Sequence, residues 1–183
     1  MIRASLAIGY HGCARQLAEA VVLGKTPLQA SRNSHDWLGH GIYFWQDDPK
    51  RAAIWADKSM RESSEPAVLG AIIDLGNCLN TSQVVCGELL AEAFAELTQS
   101  FAEYGIALPK NRGRGWANRQ LDCAVFEHLH ELRARKNQQS YDTVVGYFPE
   151  GGSIYPGAAV RQFDHVQICV RNEAKILGYF LPR

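Results

Sequence analysis

The segment from Leu38 to Ala56, LGHGIYFWQDDPKRAAIWA, commits the chain to a strand followed at once by a helix. Apolar and aromatic side chains run unbroken from Ile42 to Trp45, so Gly41 to Trp45 reads as a short buried strand. Its two-residue period puts Tyr43 and Trp45 on one face and Ile42 and Phe44 on the other. Asp48 then stands where a helix cap belongs, and Pro49 opens the first turn, where a missing amide proton costs nothing. That helix carries Ala52, Ala53, Ala56 and Met60 inward, with Trp55 beside them. Upstream, Gly9-Tyr10-His11-Gly12-Cys13 repeats the same device. Each segment sets a polar or aromatic side chain at the end of an apolar run beside a glycine, where a flat ligand can lie against backbone. Together they suggest a nucleotide pocket.

The remaining elements frame this pair. Residues 3–10 read as a strand, and a helix with Leu17, Ala20 and Val21 at helical spacing follows until Gly24 stops it. Thr26 to Asp36 is a polar loop. Ala67 to Leu75 is the next strand. Two longer helices run from about Ser82 to Tyr104 (stripe Leu89, Leu90, Ala93, Phe94, Leu97, Phe101) and from about Asn118 to Lys136 (stripe Leu121, Val125, Leu129, Leu132). The tail is β-rich: Asp142 to Phe148, a Gly/Pro-rich loop from Pro149 to Asp164, then His165 to Val170 and Ala174 to Leu181. The short Arg171-Asn172-Glu173 link makes the last two read as a hairpin. The expected class is α+β in one domain, 1–183.

Composition narrows the function classes. Nineteen basic and nineteen acidic residues balance to zero, so the molecule lacks the overall charge of a general nucleic-acid binder. Lys110, Arg112 and Arg114 in KNRGRG form either a local basic patch or a solvated loop between helices. Five cysteines without a CxxC pair indicate neither a disulfide framework nor a thiolate zinc site. No apolar run approaches the ~20 residues that a membrane span needs, and the start is too weakly flanked for a signal peptide. A soluble, cytoplasmic protein is expected.

Each chemical candidate has a plain alternative. His11 beside Gly12 is a ligand-facing imidazole or a structural histidine. Tyr43 and Trp55 are stacking surfaces or core aromatics. His165, Gln167 and Cys169 share a strand face, so His165 and Gln167 look into one cleft or form a hydrophilic pair on the exposed face of a hairpin. The preceding loop, PEGGSIYPGAAVRQFD, holds Glu150, Tyr155 and Arg161. No GxSxG, HExxH or P-loop pattern is present. His128 and His130, two apart on a helix, make a poor metal pair, and Cys13 has no orienting group that would make it a nucleophile.

The combination resembles the ADP-ribosyltransferase fold, in the diphtheria-toxin and poly(ADP-ribose) polymerase branch, whose site is a His-Tyr-Glu triad carried by three strands. YHGC resembles the His-Gly-(Ser/Thr) motif, GHGIYFWQDDPKRAAIWA the Gly-x-Gly-Ile-Tyr-Phe strand and helix, and HVQICVRNEAKILGYF the last hairpin. The likeness follows the order of elements from end to end, with about thirty residues at motif level.

The resemblance implies split antiparallel or mixed sheets with an NAD cleft and flanking helices. It makes His11, Tyr43 and Gln167 the triad positions, with Gln167 where the glutamate stands, and offers Glu150 as the substitute carboxylate. NAD, as substrate, would be bound by His11, Gly12, Cys13, Tyr43 and Trp55, the last as the helix-borne aromatic partner of nicotinamide, with no metal. The implied activity is mono-ADP-ribosylation of a macromolecular acceptor, protein side chain or nucleobase, by a toxin of a toxin–antitoxin or phage-defence system, with an antitoxin as a possible partner. A non-catalytic NAD or ADP-ribose binding module and an NAD glycohydrolase are the alternatives.

Overall fold

The Gly41 to Trp45 run and the helix behind it form as their residues dictate, and the rest of the sheet assembles on them. The computed structural model of the chain describes residues 5–59 and 64–183. Strand β1 spans Leu6–Ala14 and helix α1 Arg15–Val22, followed by β2 (Ile42–Gln46), α2 (Pro49–Ser59), β3 (Pro66–Asp74), β4 (Cys78–Asn80) and α3 (Val84–Glu103). A small pair, β5 (Asn111–Arg112) and β6 (Asn118–Arg119), leads into α4 (Gln120–Arg135), β7 (Thr143–Phe148), β8 (His165–Val170) and β9 (Ile176–Phe180). Asp48 caps α2, its Oδ1 accepting the Arg51 amide at 2.9 Å. Arg3, Ala4 and Met60 lie outside the described residues.

Seven strands form one sheet in the order β4-β7-β8-β2-β1-β3-β9, antiparallel throughout except for β4 beside β7. With four α-helices among the described residues, the chain is α+β. The sheet is continuous rather than divided in two, but its centre is thin: β1 and β2 share only the Gly9–Gln46 and Tyr10–Trp45 pairs.

One core lies on each face. Ile42 and Phe44 of β2, Leu69 of β3 and Ile168 of β8 pack with Ala18 and Val21 of α1. On the other face, α3 and α4 close over Leu79, Val144, Phe148 and Cys169, with Tyr43 at the edge. Helix α2 packs farther along that same face, on β1 and β3. Phe94, placed on the inner stripe of α3 by its spacing, is instead exposed.

Two expectations are corrected. The last strands are not a hairpin: β8 lies between β7 and β2, whereas β9 pairs with β3 at the far edge. Both edges of β8 are already taken by β7 and β2, so the next strand cannot fold back on it and adds to the outer edge of β3 instead. The Arg171 and Asn172 amides both donate to the Asp142 carbonyl, at 2.9 and 3.0 Å, which turns the chain across the end of the sheet. The KNRGRG segment is likewise more than a loop. It contributes β5 of the β5–β6 pair, and Asn111 Oδ1 accepts the Leu121 and Asp122 amides at the start of α4.

Candidate functional site

Beyond Tyr10 the two central strands part. From His11 to Ala14, β1 is in register with β3 alone, so its other backbone edge faces the opening. His11 Nδ1 reaches across this opening and donates to the Tyr43 carbonyl at 2.8 Å. Its ring meets Phe44 edge-on, with 5.9 Å between centroids. Burial holds the imidazole pKa below its ordinary value, against the opposing pull of the Tyr43 carbonyl. The ring is therefore neutral near pH 7, with Nδ1 protonated and Nε2 left as an acceptor.

Gly12 owes its identity to packing. A Cβ there would run into the Ala52 carbonyl oxygen of α2, so the bare Cα is what lets the helix lie against the strand. Cys13 points to the α1 side, 3% exposed, and burial pushes its thiol pKa up. It lies within the first core, away from the face of Tyr43.

The phenol of Tyr43 is fully committed. It donates to the Gly39 carbonyl at 2.6 Å and accepts from the Leu38 amide at 2.8 Å, and burial pushes its pKa far above the ordinary value. The loop that grips it is itself clamped. Glu127 of α4 accepts the His40 amide at 2.8 Å, and Arg171 pairs with Glu127 at 2.6 Å while also donating to the His40 carbonyl. Gly39 fits there because it adopts φ +79° and leaves room for the Glu127 carboxylate.

Gln167 sits opposite Trp45 on β2 and Gly146 on β7. By the alternation that puts Tyr43 and Cys169 in the second core, Gln167 and Trp45 project from that same face, in the seam between α2 and the α3–α4 pair. His165 is on this face too, and is buried rather than hydrophilic surface.

Around His165 the structure gathers groups that no local pattern linked. Arg51 of α2 is only 7% exposed and pairs with Glu150 at 2.6 Å. Its guanidinium lies 5.7 Å from the centre of the Trp45 ring and 5.2 Å from that of Phe163. The same Glu150 oxygen is 3.8 Å from His165 Nδ1, which donates to the Phe163 carbonyl at 2.7 Å. Arg119 stacks over Trp37 at 4.2 Å and over Phe148 at 4.7 Å. Trp55 stands at the rim, half exposed, its ring 5.8 Å from Trp45.

The structure thus joins His11 to the backbone of Tyr43 and places Gln167, Trp45, Trp55 and Glu150 about the seam. It does not bring the imidazole of His11 to the ring of Tyr43, because the two side chains leave the sheet on opposite faces. Arg51, Glu127 and Arg171 escaped sequence reading. The only local hint was the placement of Arg51 one turn into a capped helix. Cavities of about 310 Å³ beside Arg15 and Pro49 and about 360 Å³ beside His40 and Glu127 lie elsewhere. Among the described residues no group of histidine, cysteine or carboxylate side chains is arranged to hold a metal ion, and no helix is long and apolar enough to cross a membrane. No protein-family model, curated protein or solved structure matches the chain.

Proposed function

We propose that the chain is a mono-ADP-ribosyltransferase that cleaves NAD and passes ADP-ribose to a macromolecular acceptor. The observation that carries this reading is the opening between β1 and β2, bridged by His11, with β8 and Gln167 next in the sheet. The three strands named by the His-Tyr-Glu resemblance are immediate neighbours, and a free backbone edge runs along Gly12 where the nicotinamide carboxamide would bind. The neutral His11 offers Nε2 as an acceptor, which suits a ribose hydroxyl donor.

Cleavage of the nicotinamide–ribose bond passes through an oxocarbenium-like state, so positioning and negative charge would do most of the catalysis. The acceptor's nucleophile attacks the ribose carbon as nicotinamide leaves. Gln167 orients the ribose through hydrogen bonds. Glu150 would supply the charge, and Trp55 the helix-borne aromatic surface. No step requires a metal. In this reading the protein acts in the cytoplasm as a toxin of a toxin–antitoxin or phage-defence pair, with the antitoxin as its protein partner.

The identity of Gln167 favours one other reading, a non-catalytic NAD or ADP-ribose binding module, since an amide supplies neither charge nor base and Glu150 is already paired with Arg51. Incubation with labelled NAD and cell extract decides. Label in macromolecules marks a transferase, free ADP-ribose an NAD glycohydrolase, and unchanged NAD a binding module.

A further inference from the structure

Three buried side-chain atoms in the seam make no hydrogen bond: Trp45 Nε1, Arg51 Nε and His165 Nε2. Their residues are 7%, 7% and 5% exposed. Leaving one such group unpaired costs about 1–3 kcal/mol, so three together in a folded protein call for a partner from outside the chain. They belong to one cluster. The rings of Trp45 and His165 are 6.5 Å apart, and one Glu150 oxygen lies 2.6 Å from Arg51 Nη2 and 3.8 Å from His165 Nδ1.

Their hydrogen-bonding senses are fixed. The indole and guanidinium N–H groups donate, whereas His165, which gives its Nδ1 proton to the Phe163 carbonyl, accepts at Nε2. Two donors beside one acceptor complement a carbonyl oxygen adjacent to an N–H. An ionised carboxylate or fully deprotonated phosphate would leave the histidine unsatisfied, and an ammonium group would leave the two donors so. The aromatic faces of Trp45 and Phe163 on either side of Arg51 suit a flat ligand.

The loop from Pro149 to Asp164 reaches these side chains through Glu150 and Phe163. Among the described residues its hydrogen bonds stay within the loop and its flanking strands, apart from the Glu150–Arg51 pair. The Glu150–Arg51 pair is thus its one hydrogen-bonded latch to α2, beside the packing of Phe163 against Arg51 and Lys58.

We propose that Trp45, Arg51 and His165 form a binding site for the amide edge of a planar heterocycle, bordered by the 149–164 loop and latched by Glu150. Two sources carry that edge: the carboxamide of nicotinamide and the lactam of a nucleobase such as uracil or guanine. The site goes beyond the proposed activity and stands on the three unpaired atoms alone. If that activity also holds, a lactam ligand would make the acceptor a nucleobase.

Direct titration, followed by tryptophan fluorescence and calorimetry in the absence of NAD, tests it with nicotinamide, uridine and guanosine, and with adenosine and cytidine as controls that lack a carbonyl beside an N–H. At least one amide-edge compound should bind about tenfold or more tightly than the controls. Trp45→Phe, which keeps the ring, and Arg51→Lys, which keeps the charge, should each weaken that binding several-fold, and Glu150→Gln should tighten it by releasing the latch. Binding of nicotinamide alone that Trp45→Phe and Arg51→Lys weaken supports the site and places the carboxamide here rather than at the Gly12 edge; binding of uridine or guanosine supports it and assigns it to the acceptor. Equal binding of the controls, no binding at all, or an affinity that none of the three substitutions changes overturns it and leaves the atoms to a structural water. NAD turnover, measured separately, tests the transferase reading: cleavage without amide-edge binding sinks only this site, and binding without cleavage sinks only that activity.

Discussion

His11 Nδ1 donates to the main-chain carbonyl of Tyr43 across 2.8 Å, at the point where β1 and β2 stop pairing. The bond replaces a ladder hydrogen bond with a side chain, and so holds the two strands at a set separation. It also fixes which imidazole nitrogen remains free. If the proposed transferase reading holds, His11→Ala should act mainly on NAD binding, because a ribose hydrogen bond would be made in both ground and transition states. The expected result is a KM for NAD raised about tenfold with kcat changed less. A large loss of kcat at saturating NAD, with KM unaltered, would contradict the assignment.

For Tyr43 two substitutions separate the ring from the hydroxyl. Tyr43→Phe leaves the Leu38 amide and Gly39 carbonyl without their partner, and should cost about 1–3 kcal/mol of stability while largely keeping NAD affinity. Tyr43→Ala should additionally weaken NAD binding by about 1–3 kcal/mol through loss of the aromatic contact. Denaturant melts paired with calorimetry read both quantities. Equal NAD affinity in a folded Tyr43→Ala variant would remove the ring from the site.

The carboxylate question turns on Glu150 and Gln167. Glu150→Gln should reduce turnover about a hundredfold or more if this group faces the developing positive charge, and Gln167→Ala should also impair it through lost orientation. Gln167→Glu is the informative third variant. If it raises NAD cleavage while Glu150→Gln turns over at the wild-type rate, Gln167 alone occupies the catalytic position and Glu150 serves only as the latch on Arg51.

Acid sensitivity should follow the histidines that folding desolvates. Burial, reinforced by the nearby Arg171 and opposed by Glu127, holds His130 at a pKa of about 4. In the unfolded chain the same imidazole takes its proton near pH 6.5. Between those values the unfolded state binds more protons, so this contribution is complete above about pH 6.5 and is lost as pH falls toward 4. Burial lowers the pKa of His11 and His165 too, with the same sign. Urea midpoints measured from pH 7 to 4 should fall, and His130→Gln should reduce that slope without abolishing it. An unchanged slope would mean that His130 is not desolvated in solution.

What the sequence made legible was local. The Asp48-Pro49 start of α2, the alternation of Tyr43 and Trp45 against Ile42 and Phe44, and the extents of α3 and α4 follow from spacing, and the structure has them within a residue or two. The placement of β9 did not follow. A three-residue link between apolar runs looks like a turn, and whether it folds back depends on which edges distant strands have already filled. Arg51 was hidden for a similar reason: its burial depends on Glu150, 99 positions away. The grip of Leu38 and Gly39 on the Tyr43 hydroxyl depends on a clamp built from α4 and the end of β8. Such contacts leave no periodic trace.

The position of β8 has a consequence in time. Before this strand is made, the sheet exists only as two unconnected pieces, β4 with β7 and β2 with β1 and β3, and β8 is the sole element that pairs with both. A ribosome that has read only as far as the 149–164 loop has therefore produced chain whose two halves have no hydrogen-bonded seam. The Trp45–Gln167–Gly146 row that spans both pieces comes into being together with the strand that carries Gln167.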